Sequence, residues 1–176
     1  MTKRQNEQND RFNALPHNKQ RVEIAKDVLK WISLGKLKPT AGSYLWIPNK
    51  KTRIVKTNNP EGSFQDLVMR DSFKCDVCAK GALFVCAVAR KDKVLNNNTR
   101  GMNNSSILAE KLGGVFSAEQ LALIEAEFEG SMLDSDFDDP GFMPSLSKSL
   151  SDRMRLIAIM QNIIKNNGTF KPIAKK

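Results

Sequence analysis

The sequence predicts a mainly α (α+β) fold: a single compact helical domain of about five or six helices over residues 19–176, with one small β-hairpin. Three observations carry that expectation. Apolar residues recur at helical spacing in several separate windows. Cap-type residues and glycines bracket those windows. Only residues 43–57 have the β-branched and aromatic character of short paired strands. At 176 residues the chain is long enough to bury a core without disulfides or metal.

Residues 1–18 are polar, basic and without periodicity, which reads as a flexible N-terminal arm. The first helix is expected from about Lys19 to Leu34. Val22, Ala25, Val28, Leu29 and Ile32 recur at helical spacing, Trp31 widens the apolar face, and Gly35 supplies a left-handed stop. Beyond it, Ser43–Ile47 and Arg53–Thr57 are β-prone runs divided by Pro48, Asn49, Lys50 and Lys51, the pattern of a hairpin with a basic tip. Pro60, Glu61 and Gly62 break the chain, and Ser63 is placed to cap a short helix to about Arg70.

Val77–Ala89 is the most apolar segment. On a helical projection Cys75, Cys78, Ala79, Ala82, Cys86 and Ala89 share one stripe of small residues, with Val77, Phe84 and Val88 opposite. Asp76 and Lys80 form a polar strip at the i, i+4 spacing of an ion pair. A helix apolar nearly all round belongs in the interior, so residues 77–90 are expected to be the centre of the fold. Asn96, Asn97, Asn98, Arg100, Gly101, Asn103 and Asn104 mark a polar loop, after which Ser105 or Ser106 caps a short helix ending at Gly113 and Gly114. Ser117 and Gln120 then form a capping box with Phe116 and Leu121 as its hydrophobic staple, opening a helix that runs to about Glu129. Ser131–Ser147 reads as an acidic, then Ser/Pro-rich loop. The last helix runs from near Ser151 to Asn167, ends at Gly168, and turns inward Met154, Leu156, Ile157, Ile159, Met160, Ile163 and Ile164.

The charge is unevenly distributed. Residues 1–60 hold 13 Lys and Arg against four acids, which accounts for the whole net charge of +9, while Leu112–Ser147 holds eight acids and no Lys or Arg. Such polarity guides association with a charged partner and does not specify the fold. No run of about 18 apolar residues occurs, so no membrane partner is expected. Residues 1–20 lack the apolar stretch of a signal peptide, and three cysteines, an odd number, fit a reducing compartment; a cytoplasmic protein is expected.

Residue chemistry argues against an enzyme and against a resident cofactor. The sole histidine, His17, lies in the flexible arm, so no histidine-based triad or dyad is expected. Neither a GxxxxGK[ST] loop nor a GxGxxG fingerprint is present. Cys75 and Cys78 make a CxxC followed by Cys86, but a zinc or iron–sulfur site needs a fourth ligand, and no βαβ pattern supports a redox pair. The thiols are expected to be core packing groups. Asp134, Asp136 and Asp138 imitate the start of a calcium loop, yet Asp139 stands where glycine is needed and Ser145 where glutamate is needed, which leaves a weak cation site or a solvated acidic face. The remaining candidate is a basic, aromatic surface for a partner protein or nucleic acid, made of Lys36, Lys38, Tyr44, Trp46, Lys50, Lys51, Arg53 and Lys56. Its bland alternative has Tyr44 and Trp46 anchoring the hairpin on the helices, with the lysines as a soluble strand edge.

CDVCAKGALF (Cys75–Phe84), VFSAEQLALIEAEFEG (Val115–Gly130) and DRMRLIAIMQNIIKNNGTFKP (Asp152–Pro172), together with RVEIAKDVLKWISLGKLKPTAGSYL (Arg21–Leu45), resemble a group of small phage- and bacteria-encoded proteins of unknown function. The resemblance covers most of the chain beyond the arm and rests on helix caps and core faces, so it implies a shared fold. It implies no catalytic residue or cofactor. The function it suggests is that of a non-enzymatic phage-type accessory protein in a bacterial cytoplasm, binding a host or viral protein. Nucleic-acid binding by the arm and hairpin, and binding of a small anionic ligand such as a nucleotide, are the alternatives.

Overall fold

The computed structural model describes residues 3–47, 68–90, 108, 112–130 and 150–172. In chain order these form helices α1 (Lys3–Asn13) and α2 (His17–Ser33), strands β1 (Leu37–Pro39), β2 (Leu45–Trp46) and β3 (Cys75–Val77), then helices α3 (Ala79–Arg90), α4 (Ala118–Glu129) and α5 (Asp152–Lys165). The fold is mainly helical α+β, as its periodicity predicts. The second strand of the expected hairpin, its basic tip, the Asn-rich loop and the acidic loop lie outside the described residues, as do nearly all of the two short helices expected near 63–70 and 105–113.

Helix α3 is the centre. Every residue from Ala79 to Val88 is buried, because the sequence offers almost no polar position for solvent. Its one charge in that span, Lys80, pairs with Glu125 of α4. Helix α2 packs along α5 and α3, and α4 bridges α3 and α5. Phe84, Phe116 and Phe128 are fully buried in the shared core, and removing each such side chain from water stabilises by about 2–3 kcal/mol. Cys78 sits just before α3 and works as its cap, its Sγ accepting the Gly81 N–H at 3.4 Å.

The helix ends follow the local rules, with one departure. Gly35, Gly130 and Gly168 take positive φ after α2, α4 and α5. Ser117 Oγ accepts the Gln120 N–H at 3.2 Å, and Ser151 Oγ accepts the Met154 N–H at 3.3 Å. The Gln120 side chain, however, turns to the C-terminal tail. It accepts the Phe170 N–H at 2.7 Å and donates to the Phe170 carbonyl at 3.2 Å, so only one half of the capping box is built from this pair. Arg21 adds a second tie, donating to the carbonyls of Gly168 (2.6 Å) and Val115 (2.7 Å). Gly168 approaches the carbonyl of Asn18 so closely that a Cβ there would collide with it.

Two expectations are corrected. The segment read as a flexible arm contains α1, whose single strong anchor, Phe12, is buried under the guanidinium of Arg90 at 5.3 Å. Gln20, itself buried, closes the α1–α2 turn by donating to the carbonyls of Asn13 (3.3 Å) and Leu15 (2.8 Å). One apolar contact in 11 residues leaves no period to read. The second correction is the start of the central helix. Cys75–Val77 is not its first turn but the middle strand of a mixed sheet ordered β1-β3-β2, with β1 parallel and β2 antiparallel to it. Residues 43–47 therefore supply a strand, as predicted, but its described partner is β3. Asp76, being in a strand, is not in i, i+4 register with Lys80; it pairs with Lys38 at 3.7 Å instead.

Candidate protein-binding face

Alternation along the three strands sorts the sheet into two faces. Leu37, Leu45, Cys75 and Val77 point into the core. Lys38, Asp76 and Trp46 occupy the opposite positions, and the register places Lys38 and Trp46 on either side of Asp76. The alternation extends upstream, where Phe73 is buried and Lys74 exposed, and the Cys75 N–H donates to the Lys36 carbonyl at 3.0 Å.

The β1–β2 connection is held in place from both flanks. The Ala41 N–H donates to Asp152 Oδ2 at 2.8 Å, and the next amide, Gly42, donates to Glu129 Oε2 at 2.9 Å. Gly42 has φ +75°, which allows two successive N–H groups to meet carboxylates from two different helices. The Ala41 hydrogen bond and the nearby Arg155 hold the Asp152 carboxyl below its ordinary range. Burial pushes that of Glu129 up, against the pull of the Gly42 amide. Two residues on, the Tyr44 carbonyl lies over Gly81 of α3, where a Cβ would run into it, and it accepts from Cys78 Sγ at 3.9 Å. These contacts fix the backbone just before Leu45 and Trp46.

The result is an indole presented to solvent. Trp46 is 59% exposed, next to Leu45 at 6%. The Lys38 side chain is 75% exposed and Asp76 24%, so their pair is a surface one. Lys36 is folded back, its Nζ lying 5.4 Å from the Trp31 ring centroid and donating to the Arg70 carbonyl at 3.3 Å.

Of the residues that the sequence marks as a basic, aromatic surface, Lys36, Lys38 and Trp46 are on or beside this face. Tyr44 is not its partner there. It lies at a bend before β2, is partly buried and packs against the core, so the i, i+2 alternation with Trp46 does not extend to it. Lys50, Lys51, Arg53 and Lys56 lie outside the described residues, as do Asp134, Asp136 and Asp138. Lys74 and Asp76 were missed. Their signal is the charged–apolar alternation of Phe73 through Val77, which the adjoining helical stripe of small residues masks in sequence.

The other chemistry-bearing groups are placed as follows. Cys75, Cys78 and Cys86 are free and buried. Burial pushes all three thiols up, that of Cys78 to about 12. His17 is the exposed first residue of α2. Among the described residues, no group of three or more His, Cys, Asp or Glu is gathered as a metal site, and no helix is long and apolar enough to cross a membrane. Comparison with protein-family models, with curated proteins and with solved structures finds no match to this chain.

Proposed function

We propose that this chain is a non-enzymatic accessory protein that acts by binding another protein, with Trp46 on the outer face of the sheet as its anchor. The observation that carries the reading is an indole held more than half in solvent on a backbone fixed by three separate contacts. Tryptophan is among the residues most enriched at energetic centres of protein interfaces, and a preordered anchor reduces the entropy lost on docking. The non-enzymatic part rests on residue chemistry: the thiols are sealed and protonated, and the one histidine stands at an exposed helix start. The resemblance to small phage- and bacteria-encoded proteins supports a host or viral protein as the partner, met in a bacterial cytoplasm.

An aromatic photo-crosslinking amino acid, benzoylphenylalanine, placed at position 46 keeps a large apolar ring at the anchor and tests this directly. The expected product is one discrete adduct, absent when the crosslinker is moved to exposed Lys26 on α2. Its protein component should re-form the complex when purified and lose it with Trp46→Ala. Adducts no different from those at Lys26 would remove the case.

A further inference from the structure

Resting on that reading, the outer sheet face also carries information about the chemistry of the partner. Across one register level lie Lys38, Asp76 and Trp46, and strand spacing puts the lysine and the indole about 10 Å apart on either side of the carboxylate. One alternation step along β1 and β3, about 7 Å away, come Lys36 and Lys74. The face thus holds three lysines, one carboxylate and one exposed indole. Lys36 is committed to Trp31 and the Arg70 carbonyl, so it adds field rather than a contact. Lys74 is exposed, and the Lys38–Asp76 pair at 3.7 Å is of the surface kind that rearranges at little cost.

We infer that this face takes an acidic segment of a partner protein, with Lys38 and Lys74 receiving its carboxylates and Trp46 receiving a large apolar side chain beside them. Charge complementarity selects the acidic character: the face is net positive, and residues 1–60 around it in sequence supply the whole +9 of the chain. The position of Asp76 selects protein over nucleic acid. It is the cross-strand partner of Trp46, so a base stacked on the indole would bring its phosphodiester beside a carboxylate of the same sign. An extended peptide avoids this. Its side chains repeat about every 7 Å along one face, so it can put an apolar residue on Trp46 and its acids on the lysines.

The test uses the full chain and a fluorescently labelled synthetic peptide that alternates Glu with Leu and Phe. Its controls are the same peptide with Lys for Glu and an oligodeoxythymidylate. The chain has two tryptophans, so Trp31→Phe leaves Trp46 as the sole indole reporter, while anisotropy of the label reads binding to the unaltered chain. The acidic peptide should bind, shift Trp46 emission to the blue, and weaken as salt rises. The double change Lys38→Glu, Lys74→Glu should weaken it by about tenfold or more, and Asp76→Asn should tighten it severalfold. Peptide binding that ignores Trp46→Ala and the charge reversal would overturn the site. Oligonucleotide bound with the same blue shift and the acidic peptide ignored would replace the partner class with nucleic acid. If the peptide is ignored while crosslinking from position 46 still captures a reconstituting protein, the acidic class falls and the protein-binding reading stands; if both fail, both fall.

Discussion

The two faces of the three-stranded sheet are built from the same eight residues and do opposite work. Leu37, Leu45, Cys75 and Val77 close the core over α3, while Lys38, Asp76 and Trp46 meet solvent. A period of two residues is all that separates them. Position along the chain therefore says little about role here. Leu45 and Trp46 are neighbours, yet one is a packing group and the other stands largely in solvent. What distinguishes the inner face is the closeness of its neighbours: the Tyr44 carbonyl rests against Gly81, in the buried stretch of α3 from Ala79 to Val88.

The sharpest way to break that contrast is Gly81→Ala. The new methyl would meet the Tyr44 carbonyl, a backbone group with no rotamer to escape into, so β2 must shift away from α3. The expected cost is about 3 kcal/mol, which for a chain of this size lowers the melting midpoint by about 6–12 °C. It should also weaken Trp46-dependent binding, since the indole rides on the displaced strand. A variant as stable as the parent would show that the seat of Tyr44 is not tight.

Next in size, adjacent truncations compare the faces directly. Leu45→Ala should destabilise by about 2 kcal/mol, the lower end for a buried leucine because an edge strand can partly collapse. Trp46→Ala removes a larger side chain but should change stability by less than about 1 kcal/mol, while abolishing the complex reconstituted with the captured protein. Chemical denaturation of both variants checks this, and equal losses at the two positions would dissolve the distinction.

How far the sequence foretells this arrangement depends on the length of each pattern. Helices α2, α4 and α5 show several turns of periodicity with cap or stop residues, α3 shows as a nearly all-apolar run, and Gly35, Ser117, Ser151 and Gly168 act where their chemistry predicts. Helix α1 is hidden because Phe12 is its one apolar residue, and what holds that residue, the shared core and Arg90, lies elsewhere in sequence. The sheet is legible only at β2. A three-residue strand offers one and a half periods, and that of Cys75–Val77 runs straight into a helix whose small-residue stripe includes its first cysteine. Trp46 and Lys38 are recognisable as candidates from composition. That Asp76 stands between them depends on pairings with segments 38 and 30 residues away, which no local pattern encodes. Tyr44 shows the reverse case: it shares a β-prone run with Trp46 in sequence, but the chain bends at Tyr44, before β2 begins.

The smallest expected effect concerns the two carboxylates that hold the β1–β2 turn, and it has opposite signs on the two sides. Asp152 accepts the Ala41 N–H and pairs with Arg155, so its folded carboxyl titrates below the ordinary 3.8. A depressed acid contributes stability that is present above 3.8 and is lost as pH falls through the folded value. Asp152→Asn should therefore cost about 1 kcal/mol at neutral pH, a charge-assisted bond discounted for partial exposure, and the deficit should fade as both proteins are acidified. Glu129 is the converse. Burial raises its carboxyl above the ordinary 4.5, so its contribution is present below 4.5 and is lost as pH rises through the raised value. Glu129→Gln keeps an oxygen for the Gly42 N–H while removing the half-buried charge, and should be neutral or slightly stabilising at pH 7, with the gain vanishing in acid. Stability curves of the two variants between pH 7 and pH 3 should thus diverge in sign and converge on the parent. If both fall together at neutral pH, the turn needs two negative charges, and the Glu129 side of the clasp would join Asp152 in fixing the strand that carries Trp46.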